Sequence, residues 1–113
     1  MTNAKEELLY TLKNQQNLGK ECSIKCAIIT HENMWDEEKT KTIVLKEDYT
    51  PTDYVEFLDR LNFDYDSGYG GQELYGTVWL TKENTWLSRG EYDGSEWWEY
   101  NECPKVPDEL KSN

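Results

Sequence analysis

The fold is decided by residues 72–102, Q-E-L-Y-G-T-V-W-L-T-K-E-N-T-W-L-S-R-G-E-Y-D-G-S-E-W-W-E-Y-N-E, which read as three β-strands joined by two turns. This stretch holds Trp79, Trp86, Trp97 and Trp98, four of the five tryptophans. Asp93-Gly94 is a two-residue hairpin turn, because both central positions of such a turn need positive φ. That turn sets a pairing of Tyr92 with Ser95, Glu91 with Glu96, Gly90 with Trp97 and Arg89 with Trp98. Trp97 is then expected to cover the bare backbone of Gly90. Glu91 and Glu96 become directly opposed like charges, which sheets normally avoid. Arg89 shares their face, placed to neutralise one carboxylate while stacking on Trp98. The plain expectation is an arginine-bridged, solvated rim; the sharper one is a functional carboxylate pair, a hydrolase or a metal site.

The turn at Lys82-Glu83-Asn84 is less defined. A loop of two or four residues puts Leu74, Val78, Leu80, Leu87, Trp98 and Tyr100 on one face. Tyr75, Trp79, Trp86, Tyr92 and Trp97 then fall on the other. A three-residue loop would flip the later strands relative to the first. In either case one face must be covered by a helix, and the second is covered too or left as an aromatic platform.

Outward from the meander, Thr50-Pro51-Thr52-Asp53 signals a helix start: a capping threonine, proline at the first position and a carboxylate at the third. Tyr54, Phe57, Leu58 and Leu61 follow at i, i+3, i+4, i+7, an apolar stripe for the sheet. Residues 3–17 read as a second amphipathic helix, with Leu8, Leu9 and Leu12 on one face and Gly19 as its stop. Residues 22–30 and 39–46 read as a hairpin, with Cys22, Ile24, Cys26 and Ile28 pointing one way across an acidic loop at 31–38. Ser67–Gly71 is a glycine-rich turn, and the two prolines of Cys103–Pro107 keep the tail out of any central strand. The expected fold class is α+β: one small antiparallel sheet with a C-terminal three-stranded meander, a central packed helix and a short N-terminal helix, as a single domain over 1–113.

Composition narrows the function classes. Charged residues make up 31% of the 113 and the net charge is −11, which opposes direct binding to a nucleic-acid backbone. Aromatic residues at 13% supply the core that a thin aliphatic content does not. Three cysteines form no paired framework, and neither a signal peptide nor a membrane span is evident, so an intracellular, cytoplasmic protein is expected. No cofactor or metal is expected. Asp64-x-Asp66-x-Gly68 lacks the spacing of a calcium loop, and Cys22 and Cys26 on a strand are about 13 Å apart, too far to share a zinc ion. His31 is the lone histidine, and no nucleophile motif or phosphate loop accompanies it.

The acids are unevenly placed. Residues 47–73 carry eight acids and one arginine, and 91–102 carry five acids and no base, so these segments (−7 and −5) exceed the whole chain's −11. Carboxylates two apart on a strand, as in Asp64/Asp66 and Glu91/Asp93, are about 7 Å apart. That spacing is comparable to the charge density of a nucleic-acid backbone. The expected contact residues for a basic partner groove are therefore Asp59, Asp64, Asp66, Glu91, Asp93, Glu96 and Glu99. The rival expectation is a stacking platform of Trp79, Trp86 and Trp97 for a sugar, nucleotide or peptide.

Gly76-Thr77-Val78-Trp79, then Trp86-x-x-Arg89-Gly90-Glu91-Tyr92-Asp93-Gly94-Ser95-Glu96-Trp97-Trp98 and Cys103-Pro104-x-x-Pro107, resemble a group of small acidic phage-encoded proteins bearing a G-T-[IV]-W…R-G-E-Y-D-G-S-E-W-W…P-x-x-P signature. Tyr65-Asp66-x-Gly68-Tyr69-Gly70-x-Gln72-Glu73-Leu74 belongs to the same pattern. The likeness covers roughly residues 50–110, and Lys82-Glu83-Asn84 departs from the tighter turn the group leads one to expect. The resemblance carries no established activity. It implies an inhibitor acting in the host cytoplasm on a host protein, including defence enzymes whose nucleic-acid grooves a decoy can occupy.

Overall fold

The computed structural model describes residues 1–32, 37–68, 71–104 and 106–110. A short strand β1 (Thr2–Asn3) leads into helix α1 (Ala4–Asn17), followed by β2 (Ile24–His31), a 3-10 turn (Glu37–Lys39) and β3 (Lys41–Leu45). Helix α2 (Pro51–Arg60), β4 (Asp64–Tyr65), β5 (Leu74–Leu80), β6 (Thr85–Tyr92) and β7 (Ser95–Glu102) complete the domain, with a 3-10 turn at Asp108–Leu110. The fold is α+β. The main sheet is antiparallel in the order β3-β2-β5-β6-β7, and β1 pairs with β4 in a separate two-stranded ribbon.

Local chemistry accounts for the helices. Thr50 Oγ1 accepts from the Asp53 amide and Asp53 returns a carboxylate to the Thr50 amide, so both orphan donors are satisfied at the start of α2. Asn3 caps α1 through the Glu6 amide, and Gly19 ends it with φ of +82°. Ala4, Leu8 and Leu12 of α1 and Phe57 and Leu61 near α2 are buried against Ile29, Leu45, Leu74, Val78 and Leu87 of the sheet. Both helices cover the same sheet face.

The β6–β7 hairpin has the register expected of its turn, Glu91 opposite Glu96 and Gly90 opposite Trp97, with positive φ at Asp93 and Gly94. The β5–β6 loop, Thr81–Asn84, has four residues, which places Leu74, Val78, Leu80, Leu87 and Trp98 inward. Trp97 Nε1 and the Glu99 carboxylate lie where a side chain on Gly90 would stand.

One parity differs from expectation. Cys22 and Ile24 are buried, but Cys26 and Ile28 point outward while Ala27 and Ile29 are buried. Ile24 pairs with Leu80 and Cys26 with Trp79, so Lys25 is an extra residue, and this bulge reverses every side chain after it. The acidic loop at 31–38 and the glycine turn at 67–71 lie partly outside the described residues. Among the described residues no helix is long and apolar enough to cross a membrane.

Candidate functional site

Two surfaces meet at one end of the sheet, and a buried ionic cluster fixes them. Arg89 projects from β6 into the space beneath α1 with its side chain 2% exposed. Its Nη1 donates to Glu7 Oε1 at 2.8 Å, and its Nη2 donates to Glu96 Oε1 at 2.7 Å and to the Tyr65 hydroxyl at 2.8 Å. Tyr65 in turn donates to Glu7 Oε1 at 2.6 Å. Glu96 also accepts from the backbone amides of Glu73 (2.8 Å) and Leu74 (3.0 Å). The guanidinium lies over the Trp98 ring, 4.8 Å from its centroid.

Two carboxylates around one cation leave an excess negative charge in a dry site, and the Tyr65 hydroxyl with two backbone amides disperses it. Burial pulls the Arg89 pKa down, but Glu7, Glu96 and Tyr65 together outweigh that and hold it above its ordinary value. Burial and the hydrogen bond to Glu7 push the Tyr65 phenol well above its ordinary value. Arg89 therefore stays charged and Tyr65 stays protonated across physiological pH.

This corrects the expectation for Glu96. It is neither on a solvated rim nor available to a partner, because its side chain is fully buried and both oxygens are occupied. Arg89 bridges it and stacks on Trp98 as expected. What carries it inside is Glu7, which approaches from α1 and closes the site from above. Glu91, opposite it, is exposed and accepts from the Gly94 amide at 3.4 Å, so the two carboxylates form no shared acid–base pair among the described residues. Among the described residues no group of side chains has metal-binding geometry.

Of the remaining predicted acids all are exposed except Asp66, which is half-buried and accepts from the Gly68 amide. Asp59, Asp64, Asp66, Glu91, Asp93 and Glu99 make no salt bridge among the described residues. The structure brings Asp64, Asp66, Glu91 and Asp93 to one end: the Glu96 amide donates to Ser67 O at 2.8 Å, which docks the 64–67 segment beside the β6–β7 turn. Glu73 joins them, accepting from the Asp66 amide, and Glu32 is tied to the Glu73 carbonyl. Sequence reading missed both. Their field reaches Tyr75, whose phenol pKa is raised by burial and further by Glu32, Glu96 and Glu91. His31 lies 3.4 Å from Glu73 and stacks on Phe63. Lys41 stands at the same end on the β3 edge, with β2 and β5 between it and β6. Asp59 stands apart on α2, and Glu99 lies on the sheet, accepting from Trp97 Nε1 at 3.0 Å.

The second surface is the uncovered sheet face. Three cross-strand rows line it: Val44, Ile28, Thr77, Ser88 and Glu99; Cys26, Trp79, Trp86 and Asn101; and Thr42, Thr30 and Tyr75 with Gly90 and Trp97. The platform residues are thus brought together, Trp79 directly opposite Trp86 and Trp97 on the same side. Trp79 is 44% exposed, Ile28 42% and Trp97 38%, while Trp86 is half-buried. Glu99 is the one charged side chain in these rows.

Comparison with protein-family models, curated proteins and solved structures finds nothing that matches this chain.

Proposed function

We propose that this chain is an acidic interaction protein that docks its 64–66 and 91–93 end on a basic surface of another protein. The carrying observation is the fate of the cation at that end. Arg89 is withdrawn into the core and consumed by Glu7 and Glu96, so exposed Asp64, Glu91 and Asp93 and half-buried Asp66 are left with no salt bridge among the described residues. Two unit charges 7 Å apart repel by only about 0.6 kcal/mol in water, so the fold tolerates such a cluster. A basic partner feels all of them together, which raises the rate of encounter.

Carboxylates two residues apart on extended chain lie about 7 Å apart, a spacing near that of nucleic-acid phosphates, and a nucleic-acid-binding groove is the basic surface that best fits such a cluster. The resemblance to phage-encoded proteins supports a host protein, such as a defence enzyme, as owner of that groove and the host cytoplasm as the place of action.

The test uses immobilised poly-lysine as the basic probe. Neutralising the end (Asp64→Asn, Asp66→Asn, Glu91→Gln, Asp93→Asn) should weaken binding at least about ten-fold and flatten its salt dependence. A control with equal charge removed elsewhere (Glu6→Gln, Glu21→Gln, Glu56→Gln, Glu83→Gln) should stay within about three-fold of the parent protein. Equal losses in both would show net charge alone at work and overturn the reading.

A further inference from the structure

The uncovered sheet face does not resemble the rest of the molecule. Nearly a third of the chain is charged, at 31%, yet the three rows on this face carry Glu99 alone. Antiparallel sheets that simply face water alternate to polar and charged residues on that side. Here the positions hold Ile28, Tyr75, Trp79, Trp86 and Trp97. Depletion of charge with enrichment of Trp and Tyr marks the centre of a protein interface.

We infer that this face packs against the apolar surface of a different protein, with the acidic end gripping a basic rim beside it. The inference rests on the acidic-interaction reading and specifies where the partner sits. Charge complementarity selects that occupant. At the β6–β7 turn the face ends beside Asp93, with Glu91 on the covered side of the same end, while at the opposite end Lys25 is paired with Glu47 and Lys82 with Glu102. A second copy would bring two chains of −11 together, and an anionic nucleic acid or lipid surface would be repelled in the same way. A small ligand fits less well, because Trp79 and Trp86 line an open cleft with Lys25 and Lys82 that leaves Trp97 outside, instead of the three rings converging on one enclosed pocket. The partner surface therefore carries aliphatic or aromatic residues flanked by Lys or Arg.

The discriminating variant adds charge of the sign the acidic end already has. Ile28→Glu with Thr77→Glu places two carboxylates in the middle of the face, at positions whose side chains point to solvent. Attraction to a basic partner alone would be unchanged or strengthened, whereas packing would be lost. The probe is a displayed random-peptide library selected against the parent protein, with unfolding curves confirming that the variant is folded. Expected are peptides with an apolar centre and flanking Lys or Arg, whose binding falls at least about ten-fold on the variant. Peptides that bind the variant as well as the parent, a selection that enriches nothing, or a parent dimer dissolved by the variant in sedimentation would each overturn the inference. If the variant keeps peptide binding while the four-site neutral form loses poly-lysine, the acidic-interaction reading stands and the packing face falls. If poly-lysine binding is the one that survives, the failure lies with that reading instead.

Discussion

Arg89 shows how one residue can set the sign of a surface by leaving it. Its donors to Glu7, Tyr65 and Glu96 tie α1, β4 and β7 to β6, and Glu96 adds the amides at the start of β5. Glu96→Gln leaves Arg89 paired with Glu7 but weakens the charge-assisted hydrogen bonds that Glu96 accepts from Arg89 and two backbone amides, so it should lower stability by about 2–3 kcal/mol in urea unfolding. The glutamine amide would also turn an N–H toward one backbone donor. Tyr65 provides a pH test. Its pKa is raised in the fold, so its contribution is complete below the ordinary phenol value near 10 and is lost as pH rises beyond it, where the unfolded chain ionises and the folded one does not. Cys22, Cys26 and Tyr54 are raised as well, chiefly by burial, and act in the same direction. Denaturant midpoints should therefore fall between about pH 8 and about pH 11, and less steeply in Tyr65→Phe. None of this cluster's burial was legible in the sequence. Arg89 and Glu96 were visible as neighbours across a turn, but Glu7 stands 82 positions from Arg89 and nothing local announces it.

At the scale of elements, what was legible depended on local chemistry. The capping box of Thr50 and Asp53, the Asp93-Gly94 turn and the hairpin register it imposes each rest on residues within a few positions of one another, and each stands as read. The faces of β2 were misread after Ile24 because the Lys25 bulge is set by pairing with β5, not by β2 itself. Gly76 is the other point where β2 and β5 press together. It has φ of +142°, and a Cβ there would run into the carbonyl of Ile28. Gly76→Ala should therefore destabilise by about 3 kcal/mol or more, since backbone strain and backbone collision add. Gly19→Ala, with positive φ but open space around it, should lose only about 1–2 kcal/mol. Chemical denaturation of both variants checks the contrast, and similar losses would mean that the β2–β5 contact relaxes.

For the whole molecule, the layout is one of separation: helices and hydrophobic core on one side of the sheet, an almost uncharged aromatic side opposite, and acids concentrated at one end. The acids and the rings were legible as a list of residues, and Trp79, Trp86 and Trp97 were legible as a shared face. Which face would be bare was not, because that depends on both helices choosing the same side. The convergence of Glu32 and Glu73 on the acidic end was equally hidden, since it requires the 64–74 segment to be pinned by Glu96. The stacking of Trp98 on Arg89 has a practical corollary. One indole is sealed inside the ionic cluster while Trp79 and Trp97 remain open to water, so the tryptophans among the described residues should contribute both a protected and an accessible component to intrinsic emission. Quencher-accessible fluorescence reports whether the outer side is occupied, and the protected component reports whether the interior is intact, both without attaching a label.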